Sequence, residues 1–152
     1  MQQASYLESR ILTAPPHRLH LMLIEGAIRF GRQADDALQR AERAVAEASL
    51  MRLVDIVGEM LAGLRHDKTP INRRLADLYW FLFRRVAQAK INSDAAALAE
   101  ALRILEYERQ TWQLVCEKFG GIAAAAGPPA PHSRPFDSHD AHGPASSVSW
   151  QA

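Results

Sequence analysis

The chain has 152 residues, is 48% hydrophobic and carries a formal net charge of +1, which suits one domain with a sizeable core. Residues 1–119 hold 17 Lys and Arg against 15 Asp and Glu. The pairs Arg73-Arg74 and Arg84-Arg85 therefore read as solvated helix faces, not as the concentrated basic stripe of a nucleic-acid binder. Cys116 is the only cysteine, which excludes an internal disulfide and a cysteine-based zinc site. No signal peptide and no apolar run of ~18–20 residues is visible, so the expected compartment is the cytoplasm, without membrane insertion.

In chain order, residues 1–15 read as an extended N-terminal segment carrying Tyr6, Leu7, Ile11 and Leu12. The first helix is expected from about Pro16 to Ala46. Its core stripe is Leu19, Leu23, Ala27, Phe30, Ala34, Leu38, Ala41 and Val45, stepping by three and four. Leu21, Ile24 and Ile28 then fall on a second apolar side, which a neighbouring helix or a partner must cover. Gly26 is expected to admit a neighbouring helix at close range.

The second helix is expected from Leu50 to Arg65, with Ser49 as its N-cap. The third opens at Thr69-Pro70, where Thr caps and Pro has no N–H to waste. Its stripe is Ile71, Leu75, Leu78, Leu82, Val86 and Ala89, but the run Leu78-Tyr79-Trp80-Phe81-Leu82-Phe83 is apolar all round. Some of those six side chains must meet a second surface. The fourth helix starts at Ser93-Asp94, uses Leu98, Ala101, Leu102, Leu105, Trp112, Val115 and Phe119, and stops at Gly120-Gly121. Connections near 47–49, 66–69 and 91–93 are short, which makes successive helices antiparallel. The expected fold is all-α, an up-down-up-down four-helix bundle over residues 16–119. Residues 120–152, rich in Pro, Ala, Gly and Ser, are expected to form a disordered tail.

Little in this pattern supports catalysis. No Glu has a His three residues later, so the di-iron bundle signature is missing. His17 and His20 share one face and could hold a metal only with a third ligand that nothing nominates; they read as exposed histidines. His132, His139 and His142 read as incidental in the tail. No phosphate loop or nucleophile elbow appears. The expectation is a non-enzyme without cofactor or metal, whose apolar excess on the N-terminal segment and the first and third helices points to a protein-binding surface, for a foreign partner or a second copy alike, with ordinary core packing absorbing part of it.

Taken in order, these residues resemble the flagellar export chaperones of the FliS type, which bind flagellin. The resemblance runs through Tyr6, Ile11, Thr13-Ala14-Pro15-Pro16, Leu19 and Met22-Leu23-Ile24-Glu25-Gly26-Ala27-Ile28. It continues with Leu75, Leu78 and Tyr79, then Ala89-Lys90-Ile91-Asn92-Ser93-Asp94, and Trp112. This chain departs from the pattern at Pro15, where the family has Ser, at Ile24, where it has Tyr, and at Trp80, where it often has an acidic residue. The resemblance implies a cytoplasmic chaperone that holds the C-terminal segment of flagellin until export, with the export apparatus as a further partner. The expected groove is lined by Tyr6, Ile11, Leu21, Ile24, Ile28, Tyr79 and Phe83. The alternative is a self-associating structural bundle, a homodimer without a flagellin role.

Overall fold

The structure is a computed structural model that describes residues 3–5, 16–66 and 68–126. It contains four long helices: α1 (Pro16–Gln39), α2 (Arg43–Gly63), α3 (Pro70–Asn92) and α4 (Ala95–Ala126). Each packs on its neighbours in sequence, and α4 closes the ring against α1. With short connections this is the expected up-down-up-down four-helix bundle. Residues 3–5 are helical, not extended, while the rest of 1–15 and residues 127–152 lie outside the described residues.

Two helix starts follow the sequence directly. The Thr69 hydroxyl accepts from the Asn72 N–H at 3.2 Å, with Pro70 at the first helical position. Asp94 Oδ1 accepts from the Ala97 N–H at 3.0 Å and caps α4. At the end of α3, Ser93 takes the left-handed conformation, φ 52°, and the Asp94 N–H reaches back to the Ala89 carbonyl at 3.2 Å, closing the α3–α4 turn.

The first turn lies elsewhere than expected. α1 stops at Gln39 and α2 begins at Arg43, so the helix break falls at residues 40–42 and not 47–49. Ala41 adopts φ 58° and the Glu42 N–H bonds to the Ala37 carbonyl at 2.9 Å, a Schellman-type ending. Glycine is the usual residue at such a position, because a Cβ there costs roughly 1 kcal/mol; an alanine gives no warning. Ser49 is accordingly no cap but a buried residue within α2. At the other end, α4 runs through Gly120-Gly121 to Ala126. Ala123–Ala126 are strong helix formers, and the firmer stop, Gly127-Pro128, follows them in sequence.

The core also differs from the expected stripe. Ile24 and Ala27 are fully buried and Leu21 and Ile28 nearly so, whereas Leu23 and Phe30 sit at the rim, partly exposed. One bundle helix meets two neighbours, so α1 needs a wide apolar arc to cover both α2 and α4. The second apolar side is thus occupied from within the molecule. Ile71, Val45 and Phe119, each assigned to a core stripe by periodicity, are exposed, the first two in the opening turns of α3 and α2 and Phe119 about two turns before the end of α4.

The tight approach occurs at Gly31 and not at Gly26. A Cβ on Gly31 would lie 2.6 Å from Leu102 Cδ2, whereas one on Gly26 would meet Ile56 at 3.6 Å, an ordinary contact. Inter-helix ion pairs join α1 to α4 (Arg32–Glu106) and α3 to α4 (Arg85–Glu100, 2.6 Å). Among the described residues α2 has no polar side-chain tie to another helix; Leu50, Leu53, Val57 and Met60 hold it by apolar contact.

Candidate functional site

Residues from three helices converge on a buried polar cluster. Tyr79 of α3 is fully buried and donates its hydroxyl proton to Glu108 Oε2 at 3.1 Å. Trp112, one turn further along α4, donates its indole N–H to the same oxygen at 3.3 Å. His20 of α1 lies with Nε2 2.6 Å from the Tyr79 oxygen. A hydroxyl has one proton, and Tyr79 spends it on Glu108. His20 must therefore be the Nε2–H tautomer, donating to the Tyr79 oxygen. Its ring also packs on Trp112, 4.2 Å between centroids. Each member answers another's hydrogen-bonding need, as burial requires.

This arrangement is a tie, not a reaction centre. Tyr79 has no solvent exposure and Glu108 is only 5% exposed, so neither can meet a substrate. Burial, then the Glu108 carboxylate, pushes the Tyr79 hydroxyl well above the usual phenol range. Burial pushes the His20 imidazole down to about 4, because charging a desolvated ring is unfavourable. A depressed folded-state value means that the unfolded chain takes up the proton first. The stabilisation from neutral His20 is then complete above pH ~6.5 and is lost as the pH falls towards 4. We expect a loss of about 2 kcal/mol at pH 4, discounted because part of the ring touches solvent. Urea melts of the protein and of His20→Phe at pH 7 and pH 4.5 check this. The variant should lose distinctly less stability across that interval.

Beside the cluster, at the same end of the bundle, lies a cavity of about 490 Å³ lined by Pro16, His17, Leu64, Val115 and Phe119, with His20 and Trp112 as its inner wall. His17 packs on Phe119, 5.4 Å between centroids, and its carbonyl accepts from Cys116 Sγ at 3.6 Å. Phe119 is 54% exposed. The cavity offers a largely apolar, aromatic-edged concavity of the kind that takes a partner's apolar side chains. A second depression of about 540 Å³ along α1 is lined by Glu25, Arg29, Arg32, Asp36, Glu42 and Arg109 among others; its alternating charges suit an apolar segment poorly. Among the described residues no group of three or more His, Cys, Asp or Glu could hold a metal. None of the described helices is long and apolar enough to cross a membrane.

These positions correct the sequence-derived groove. Leu21, Ile24, Ile28 and Tyr79 are core residues, because α2 and α4 cover the far side of α1 and Tyr79 turns inward to Glu108. Phe83 is half-buried against the core and stacks on Trp80, 5.8 Å between centroids and 7° between planes. Tyr6 and Ile11 lie outside the described residues. His20, read from sequence as exposed, is built into the cluster. Glu108 was missed by the sequence reading; the signal for it was its place between Leu105 and the partly buried Trp112 on the inward stripe of α4, where a carboxyl demands a partner.

The family model described as flagellar protein FliS matches residues 1–119. The chain is 30% identical to the flagellar secretion chaperone FliS of Salmonella typhimurium over 114 residues, 74% of this chain and 84% of the relative. It is 27% identical to that of Bacillus subtilis over 109 residues (72% and 81%) and 26% identical to that of Vibrio cholerae over 120 residues (78% and 88%). The match spans all four helices and the cavity-lining residues through Phe119, and the chain belongs to the FliS family of flagellar proteins.

Proposed function

We propose that this protein is a cytoplasmic, non-catalytic export chaperone that holds the C-terminal segment of flagellin and prevents its polymerisation before secretion. Family membership supports the chaperone role. The observation that carries the binding mode is the open, largely apolar cavity between the start of α1 and the Val115–Phe119 stretch of α4. A disordered amphipathic segment that folds on binding needs such a surface, and its ordering cost leaves the complex reversible, as delivery to an export gate requires. The neighbouring His20–Tyr79–Glu108–Trp112 cluster fixes the cavity's inner wall, so the surface is formed before the partner arrives.

Calorimetry with a peptide of the flagellin C-terminal segment tests this. Phe119→Ala removes an exposed aromatic from the rim, and we expect about tenfold weaker binding with an unchanged melting temperature. Unaltered affinity would remove the cavity from the binding surface. No binding by the unsubstituted protein would refute the flagellin role itself. Sedimentation separates the alternative: a stable homodimer that ignores flagellin would support a self-associating structural bundle.

A further inference from the structure

The outer face of α3 repeats the geometry of a helix-packing seam with no other helix on it among the described residues. Arg73, Asp77, Trp80, Arg84, Ala87 and Ile91 follow one another at alternating steps of four and three. At 3.6 residues per turn they fall within about 40° of a single line. That line is opposite the one through Leu82, Val86 and Ala89, which face the core. The stepping is that of an a/d seam, the pattern by which one helix receives another.

Two of the three apolar members of this seam are open, and Ala87 between them is half-buried. Trp80 is 51% exposed and Ile91 79% exposed. Trp80 is also held in place, because one face of its indole lies nearly parallel to Phe83, whose ring is packed against the core beside Gly58. The other face remains available. An aromatic fixed before binding loses little entropy on contact, which is why such residues anchor interfaces.

Charge selects the occupant. α3 carries Arg73, Arg74, Arg84, Arg85 and Lys90 against a single acidic residue, Asp77, although the whole chain is nearly neutral. Only Arg85 of these cations forms an ion pair among the described residues, with Glu100 of α4. Arg73 and Arg84 bracket Trp80 along the seam, and Arg74 and Lys90 flank it. An anionic membrane or nucleic acid would want this strip uniformly basic, whereas Asp77 interrupts it one turn from Trp80. A helix of mixed apolar and acidic side chains complements Arg73, Trp80, Arg84, Ala87 and Ile91, provided that its residue opposite Asp77 is not acidic, a local condition that a helix meets and a continuous polyanion does not.

We infer that the outer face of α3 is a second docking surface, on which an acidic amphipathic helix of another protein lies along the seam from Arg73 to Ile91 with its apolar edge on Trp80, Ala87 and Ile91. The surface shares no residue with the cavity between the start of α1 and the Val115–Phe119 stretch of α4. This inference does not depend on flagellin being the cavity's ligand.

The test uses the full-length protein and a designed three-heptad peptide with Leu at a and d and Glu at e and g. Such a peptide repels its own copies and pairs with a basic helix. Its Lys counterpart, anionic phospholipid vesicles and a single-stranded oligonucleotide serve as competing probes. Calorimetry should show binding of the Glu peptide, at least about tenfold weaker binding of the Lys peptide, and loss of affinity at high salt. Trp80→Ala and Arg84→Gln should each weaken it about tenfold, while Tyr107→Ala on the outer face of α4 leaves it within twofold. Both seam residues are exposed, so thermal melts should show the variants fully folded. Amide shifts on adding the peptide should centre on α3. No binding, equal affinity for the Lys peptide, indifference to both variants, or preference for vesicles or oligonucleotide would each overturn the assignment.

Discussion

Ile24→Asp is expected to leave the protein largely unfolded at neutral pH. Ile24 is fully buried in the cluster that includes Leu53, Tyr79 and Leu98. The substitution removes its apolar contribution and leaves a carboxylate without a designed partner. Unpaired charge in such a site costs several kcal/mol, and the whole stability of a domain this size is about 5–15 kcal/mol. Circular dichroism at 25 °C, with and without urea, would show the cooperative transition lost or its midpoint moved sharply down. A variant that melted like the parent would mean that Ile24 faces solvent or a vacant groove. The change therefore reports on folding, and it cannot serve as a probe of partner affinity.

Two substitutions at Tyr79 should separate its volume from its hydroxyl. Tyr79→Ala empties a fully buried ring site, and we expect a loss of about 3–5 kcal/mol, as for other large aromatic truncations. Tyr79→Phe keeps the ring but leaves the His20 Nε2–H without its acceptor and Glu108 with Trp112 as its remaining donor. Losing hydrogen bonds at buried groups costs about 1–3 kcal/mol. Urea unfolding of both variants measures the two steps. If the hydroxyl matters through His20, the double variant Tyr79→Phe/His20→Leu will fall short of additivity, since each change spoils the same bond. Full additivity would disconnect α1 from the cluster.

How much of this was legible in the sequence depended on whether local chemistry or tertiary context decided the outcome. Thr69-Pro70 and Asp94 act on backbone groups within a few residues, so the starts of α3 and α4 could be read directly. The α1–α2 turn could not, because Ala41 takes a left-handed conformation without the glycine or asparagine that normally marks one. Gly120-Gly121 misled in the opposite direction, since glycine weakens a helix but does not forbid it. Periodicity found the apolar arc of α1 but placed its centre one stripe away. A three-and-four stripe through Leu19 and Phe30 is as regular as one through Leu21 and Ile28, and only the position of two neighbours decides between them. The candidate site suffered from the same ambiguity. Ile24, Ile28 and Tyr79 were recognised as exceptional and assigned outward, when their hydrophobicity was needed inward. His20 joined the cluster only when folding brought Tyr79, 59 residues away, to within hydrogen-bonding distance.

Among the described residues α2 has no polar side-chain tie to another helix, and this has a thermal consequence. Ion pairs and the buried cluster fix α1, α3 and α4 in one register with one another. Apolar contact is indifferent to small sliding and rotation, and it is the contribution that weakens on cooling. Among the four helices, α2 is thus the wall whose adhesion is most sensitive to cold. As temperature falls, the bundle should loosen along the seams that flank α2 while the other three helices remain pinned, giving this fold a preferred line of opening.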